Sequence, residues 1–390
     1  MAAEAGALVL ERPWDDDFAA PRNLAAERAS GEWILQLDAD ERLAAGAGKA
    51  IREAIRQGGF DVGLVRLHNA TRLDAPEAEV LSGALRLGSP NLLPRVIRRA
   101  PDLRYEGAVH EDVSEWAARH GNKLRKLPAD VVHLGYVDGV QDDRNKRARN
   151  EALLRRRMAQ EPDSIVPIAY LAIELAGTRR FADAAEVAEQ GWALLPSQPP
   201  HRSIRRLAVG RALAAVNQGA PARARESVDR AEAHEGPNPD YDFLRGCAWE
   251  LEATAAPAGA ADRAALLERA TAAYRKTLDA LARGGFPQVL LVTEAEALAR
   301  LGTALLLAGD AAQARQVFVR ARQAGAGDKV VLGEAEACLV GSDPGGALAL
   351  LQPLMVAGVA AAWALAARAA HDLGAEADAR LFLERAKALG

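Results

Sequence analysis

Trp33-Ile34-Leu35-Gln36-Leu37-Asp38-Ala39-Asp40-Glu41-Arg42 is the stretch that decides how this chain is read. Five mostly apolar residues read as a buried strand, and it stops abruptly in a run of acids. A strand that delivers carboxylates at its C-terminal end sets them where open α/β sheets bind ligands. Alternation puts Asp38 and Asp40 on one side of an extended backbone. Two like charges held side by side are costly unless a cation lies between them. A hard divalent cation with oxygen ligands is the expected occupant.

Upstream stands Pro13-Trp14-Asp15-Asp16-Asp17-Phe18-Ala19-Ala20-Pro21-Arg22-Asn23, then a helical stretch over Leu24 to Ala29 and a stop at Ser30-Gly31-Glu32. Downstream come Arg95-Val96-Ile97-Arg98, Tyr105-Glu106-Gly107-Ala108-Val109-His110-Glu111 and Val132-His133-Leu134-Gly135-Tyr136. A helix with Lys146, Arg149-Asn150 and Leu153-Leu154 follows, and Pro162 with Tyr170-Leu171-Ala172 opens a helical region. Taken in order from Trp14 to about Ala172, these motifs resemble the family 2 glycosyltransferases of GT-A fold, in the bacterial branch with tetratricopeptide repeats behind the catalytic domain. Pro21 departs from the alanine usual there, at a helix start that tolerates proline.

That resemblance implies α/β plus all-α architecture. A partial GT-A, Rossmann-like domain over 1–141 would be followed by a tetratricopeptide-like α-solenoid over 142–390. Ala7 to Leu10 would then be the third strand of the transferase sheet, with the first two strand-helix units absent. The resemblance also implies transfer of a sugar from a nucleotide-sugar donor, a UDP-sugar above all, to a peptide, protein or glycan acceptor. Asp40 would ligate Mn²⁺ or Mg²⁺ beside His133, and the metal would neutralise charge on the departing diphosphate. Asp38, Arg22 and Asn23 would face the nucleotide. Glu111, with Asp112 as rival, would take the acceptor's proton. Plain structural roles stand beside each of these: His133 hydrogen-bonded at a strand end, Arg22 and Asn23 on a solvated helix surface, and Glu111-Asp112 as an ordinary helix start. Arg95 and Arg98 either contact phosphate or form strand-face salt bridges.

Composition narrows the classes. The 390 residues suffice for two domains or one domain and an array. Apolar residues make up 49% but aromatics only 5%, and alanine dominates, which suits close-packed helices. A formal charge of −4 argues against general nucleic-acid affinity, and the basic run Arg144 to Arg157 lacks interleaved aromatics. Cys247 and Cys338 offer neither a disulfide framework nor zinc spacing, as expected in a reducing cytoplasm. Met1 to Leu10 lacks the basic opening of a signal peptide. Pro344 to Ala367 is uncharged, but Pro353 and Gly358 interrupt it, so it reads as two buried helices rather than a transmembrane span.

Along the chain, helices are expected near 48–57, strands near 62–67, 92–97 and 131–135, and an irregular polar excursion over Asn69 to Pro90. From Asp142 onward strand signals nearly vanish. Helix pairs are expected at 301–309 with 311–323, 331–341 with 345–355, and 360–374 with 375–389. Ala314, Ala347 and Ala379 take equivalent places, 33 and 32 residues apart, the period of a tetratricopeptide-like hairpin. Ala185 and Ala224 read as earlier members. Two functions follow: a metal-dependent glycosyltransferase whose repeats recruit the acceptor, or a catalytically inactive interaction scaffold with a protein partner in the repeat groove.

Overall fold

The computed structural model describes residues 3–4, 6–135, 143–197, 203–257, 259–284 and 289–390. It divides into two units, Met1–Gly210 and Arg211–Gly390. The domain boundary expected at 141/142, and Tyr136 of the His-x-Gly-Tyr motif, lie outside the described residues.

The first unit carries a five-stranded sheet. In chain order it comprises α1 (Ala19–Arg28), β1 (Trp33–Leu35), β2 (Glu41–Leu43), α2 (Ala47–Gln57), β3 (Val62–Ala70), α3 (Glu77–Ser82), β4 (Arg86–Arg98), α4 (Ser114–Arg119) and β5 (Leu124–His133). The strand order is β1-β4-β3-β5-β2. Only β3 and β5 pair in parallel; β1 with β4, β3 with β4, and β2 with β5 are antiparallel. This small mixed sheet, with a single parallel pair, does not show the Rossmann-like GT-A domain that the resemblance implies.

Its two faces are covered separately because β3 alternates. Val65 and Leu67 join Ala47, Ile51 and Ala54 of α2 in one core, while Val62 packs on the other side with Ala19, Ile97, Tyr105 and Trp116. Gly63 permits that crowding, since a Cβ there would sit 2.6 Å from Leu127 Cδ1. The helix expected at 48–57 and the strand cores are found. The strand expected over Ala7 to Leu10 is not: those residues pair with no strand and leave Leu8 76% exposed. The excursion over Asn69 to Pro90 is more ordered than expected, holding the end of β3, all of α3 and the start of β4. Pro94 fits within β4 because it stands opposite Leu64 at a register shift.

β1 and β2 lie close in sequence yet occupy opposite edges of the sheet. Four strand spacings of roughly 4.8 Å make a flat sheet about 19 Å wide. Six Cα steps from Leu35 to Glu41 reach about 22 Å at most. The segment also closes a turn, with Glu41 N donating to Asp38 O at 3.0 Å, so the sheet must curl to bring its edges nearer. The acidic run is thus a strap from edge to edge.

The same unit continues with α5 (Asp143–Gln160), α6 (Ile165–Gly177), α7 (Phe181–Leu194) and the start of α8 (Ser203–Asn217). The second unit holds the rest of α8, then α9 (Pro221–Glu235), α10 (Pro239–Ala255), α11 (Ala261–Arg283), α12 (Glu294–Leu307), α13 (Ala311–Gln323), α14 (Asp328–Val340), α15 (Pro344–Val356), α16 (Ala360–Asp372) and α17 (Glu376–Leu389). The three helix pairs read from the sequence are present. Pro344 to Ala367 is indeed two helices meeting at a turn, and no helix among the described residues is long and apolar enough to cross a membrane.

One local device recurs. A residue with positive φ ends the leading helix, and a buried alanine follows five positions later: Arg179 and Ala184, Gly219 and Ala224, Gly309 and Ala314, Ser342 and Ala347, Gly374 and Ala379. The left-handed residue stops one helix and the alanine lets the next approach closely. The early member is therefore Ala184, not Ala185, which is only partly buried. Phe318 fixes the spacing of neighbouring hairpins, because Gly302 and Gly333 both present bare backbone to its ring. A Cβ on either would meet that ring at 2.6 and 2.7 Å.

Candidate functional site

The strap places its acids over the α1 side of the sheet, and arginines meet them there. Arg22 of α1 donates through Nη1 to Asp38 Oδ1 at 2.7 Å and through Nε to Glu111. Arg95 of β4 donates through Nη2 to Asp38 Oδ2 at 3.2 Å and also to Glu41. With the Gln36 amide oriented by its partners, its nitrogen donates to the Tyr105 hydroxyl at 2.9 Å and its oxygen accepts from both arginines. Three carboxylates and two guanidiniums thus interlock, with Arg95 and Glu41 almost wholly buried. Burial alone would raise the Asp38 carboxyl, but the hydrogen bond and charge of Arg22, with Arg95 and His133, outweigh it and hold Asp38 below its ordinary value. Burial also pushes the Tyr105 hydroxyl up to about 12.

Asp38 and Asp40 are not a pair. Asp40 turns towards the far edge, where its Oδ2 lies 3.3 Å from His133 Nε2. His133 Nδ1 in turn lies 2.8 Å from Asn69 Oδ1, a strand-end hydrogen bond. Asp40 and His133 do come together, but no group of three or more His, Cys, Asp or Glu side chains fit to hold a metal exists among the described residues. Two protein donors fall short of the oxygen-rich cage that Mg²⁺ or Mn²⁺ prefers. The described residues do not fit the expected metal.

The remaining site residues have structural occupations. Asn23, expected at the nucleotide, instead exchanges two hydrogen bonds with the Tyr105 backbone at 2.8 and 3.0 Å. Glu111, the expected base, is committed to Arg22, its side chain only 10% exposed. A carboxylate locked to a guanidinium is not free to take a proton from a substrate. Asp112 accepts from Ser114 N at 2.7 Å at the start of α4, the ordinary helix-start role. Arg95 forms salt links, as its plain reading had it. The sequence reading missed Gln36, Glu41 and Tyr105 as members of this cluster, and no spacing rule would have found them. A second cluster went unseen on the same sheet face. His68 Nε2 lies 2.7 Å from Asp130 Oδ1, Arg66 grips the same carboxylate through two bonds, and Arg86 approaches His68 Nδ1 at 3.3 Å. A cleft of about 430 Å³ lies elsewhere, in the second unit, lined by Arg263, Thr271, Arg275, Leu305 and Gln313.

No family model matches this chain. A TPR repeat-containing protein of Synechococcus elongatus is 32% identical over 188 residues, covering 45% of this chain and 41% of the relative. The chain therefore spans less than half of that relative's length. Among solved structures, a tetratricopeptide repeat protein from Parabacteroides merdae is 13% identical, covering 64% of this chain and 88% of its own, with a TM-score of 0.44. A thermophilic TPR protein of Thermus thermophilus is 16% identical, covering 58% and 100%, with a TM-score of 0.38. The helical part of this chain is a solenoid of repeated helix pairs similar to tetratricopeptide-repeat proteins, joined to a small sheet region. The expectation of a metal-dependent glycosyltransferase is overturned: the Synechococcus elongatus relative is a TPR repeat-containing protein, and of the two carboxylates assigned to catalysis Glu111 is bound by Arg22 and Asp112 caps the start of α4.

Proposed function

We propose that this protein is an interaction scaffold, in which tetratricopeptide-type hairpins recognise a protein partner and the sheet region is a folded platform without catalytic duty. The recurring hairpin carries the reading: a left-handed turn followed five residues later by a buried alanine, built five times over. Repeats of this kind bury only their mutual contacts and leave long helical faces for a partner. The relative from Synechococcus elongatus, named for the same repeats, supports it. The charged strap supports it too, since Asp38 and Glu41 pair with Arg22 and Arg95 instead of awaiting a substrate.

The test is cross-linking of the full chain in an extract of its own cells, followed by reconstitution with the purified partner. Saturable binding, with cross-links on the helices after residue 164, is the expected result. Cross-links confined to residues 19–133, or a reconstituted pair that does not saturate, would overturn the assignment.

A further inference from the structure

The loop between Tyr105 and Asp112 does more than supply Glu111. Its neck is closed by two backbone hydrogen bonds, Glu106 N to Asp112 O at 3.0 Å and Asp112 N to Glu106 O at 3.3 Å. Gly107, at φ 101°, passes so near the Arg157 guanidinium that a Cβ would lie 2.7 Å from Nη1. Val109 is buried and anchors the loop from within. At the tip stands His110, a non-glycine residue at φ 56°, a left-handed conformation that L side chains adopt at a cost.

That cost presents the imidazole to the repeats. The ring stacks on Tyr170 of α6 with centroids 4.1 Å apart and planes within 7°. Its Nε2 lies 2.7 Å from Glu174 Oε1, one helical turn further along α6. The Arg206 guanidinium, from α8, sits 3.9 Å from the centre of the same tyrosine ring. Two groups that close to one ring centre have room only on opposite faces, so Tyr170 is clasped between imidazole and guanidinium. A flat ring with an N–H at its edge satisfies every element here. It offers a face for Tyr170 and a donor for Glu174, within the field of a ring already polarised by Arg206. A phenyl ring would stack but leave Glu174 without its donor, and an aliphatic chain would do neither.

We propose that Tyr170, Glu174 and Arg206 form a socket for a histidine-bearing segment of a partner protein, and that His110 occupies it in cis. This deepens the scaffold reading and rests on it. A tethered loop competes at an effective concentration in the millimolar range, so an external segment of similar strength is shut out while His110 is in place. The loop is therefore both the template of the ligand and the plug of the site.

His110→Gly opens the socket with little risk to the fold, because glycine adopts positive φ freely. The probe is the acetylated, amidated peptide Glu-Gly-Ala-Val-His-Glu-Asp-Val, followed by calorimetry on the full purified chain. H110G is expected to bind it saturably, at least tenfold more tightly than the unaltered chain does. A peptide with alanine for histidine should lose at least tenfold on H110G, as should the native peptide on H110G carrying Tyr170→Ala. Should that double variant fail to fold, Glu174→Ala on H110G carries the same expectation. Equal binding by the unaltered chain and H110G, equal binding of the alanine peptide, or no binding by a folded H110G would each overturn the socket. Because the probe is a defined peptide on purified chain, such a failure leaves the cross-linking result on the remaining helices standing.

Discussion

The strap of the first unit and the Phe318 wedge of the second keep their elements in place by different means. In the hairpins, small residues let helices close on each other, and Phe318 fills the space that Gly302 and Gly333 leave open. In the front, the strap is held by ion pairs whose members come from α1, β4 and the loop before α4. Packing of the first kind is dictated by shape and is nearly independent of pH and salt. Charge networks of the second kind are sensitive to both, and each member depends on the others. Repeats therefore announce themselves in a sequence, whereas a charge network does so only once folded.

The comparison breaks most visibly at Phe318. Phe318→Ala leaves two glycines facing a void and should cost about 4 kcal/mol, read as a shift of the denaturation midpoint. A loss below about 1 kcal/mol would show that the hairpins are not held by this wedge. Next in size is Arg22→Ala, which strands Asp38 and Glu111 together. A cost of about 2 kcal/mol is expected, less than for a fully buried pair because the arginine is partly exposed. Arg22→Lys should recover little of it, since one ammonium does not reproduce the bonds that Nε and Nη1 make to two carboxylates.

Acid sharpens the contrast further. Asp38 is held below its ordinary value in the fold, so its contribution is complete above the unfolded carboxylate value of about 4 and fades as pH falls through its folded value. His68 is lowered, first by burial, then by Arg86 and Arg66, against the opposing pull of Asp130. The unfolded chain therefore takes up that proton first, and stability should begin to fall below about pH 6.5. Hydrogen exchange followed against pH should show the sheet opening before the helices after residue 211. The reverse order would reject the division drawn here. Smallest is a gain: Arg179→Gly and Ser342→Gly put glycine where the other hairpins already have it. Each should stabilise by about 1 kcal/mol in thermal unfolding, and a loss would mean those side chains do work not apparent from their surroundings.

The helices were legible because their information is local. Ala314, Ala347 and Ala379 recur at a fixed spacing, and glycine or proline marks each turn. The helix at 47–57 and the cores of β3, β4 and β5 were legible through periodicity. The strand expected over Ala7 to Leu10 failed because an apolar run becomes a strand only where a neighbour supplies hydrogen bonds. Asp38 and Glu111 misled for a related reason. Their partners lie 16, 57 and 89 residues away, and nothing in Asp-x-Asp records whether a metal or an arginine will answer it. The resemblance found motifs that are present as written, yet here they serve architecture. Asp40 and His133 met as expected, and among the described residues no third donor joins them to hold a cation.

The strap has a consequence for the order in which the front assembles. Three-residue edges cannot persist alone, so β3, β4 and β5 must already be associated before the acidic segment finds either rim. The most recognisable motif of the chain is then among the last parts to lock. A backbone nick between Asp38 and Ala39 would free both rims at once while leaving the central ribbons joined.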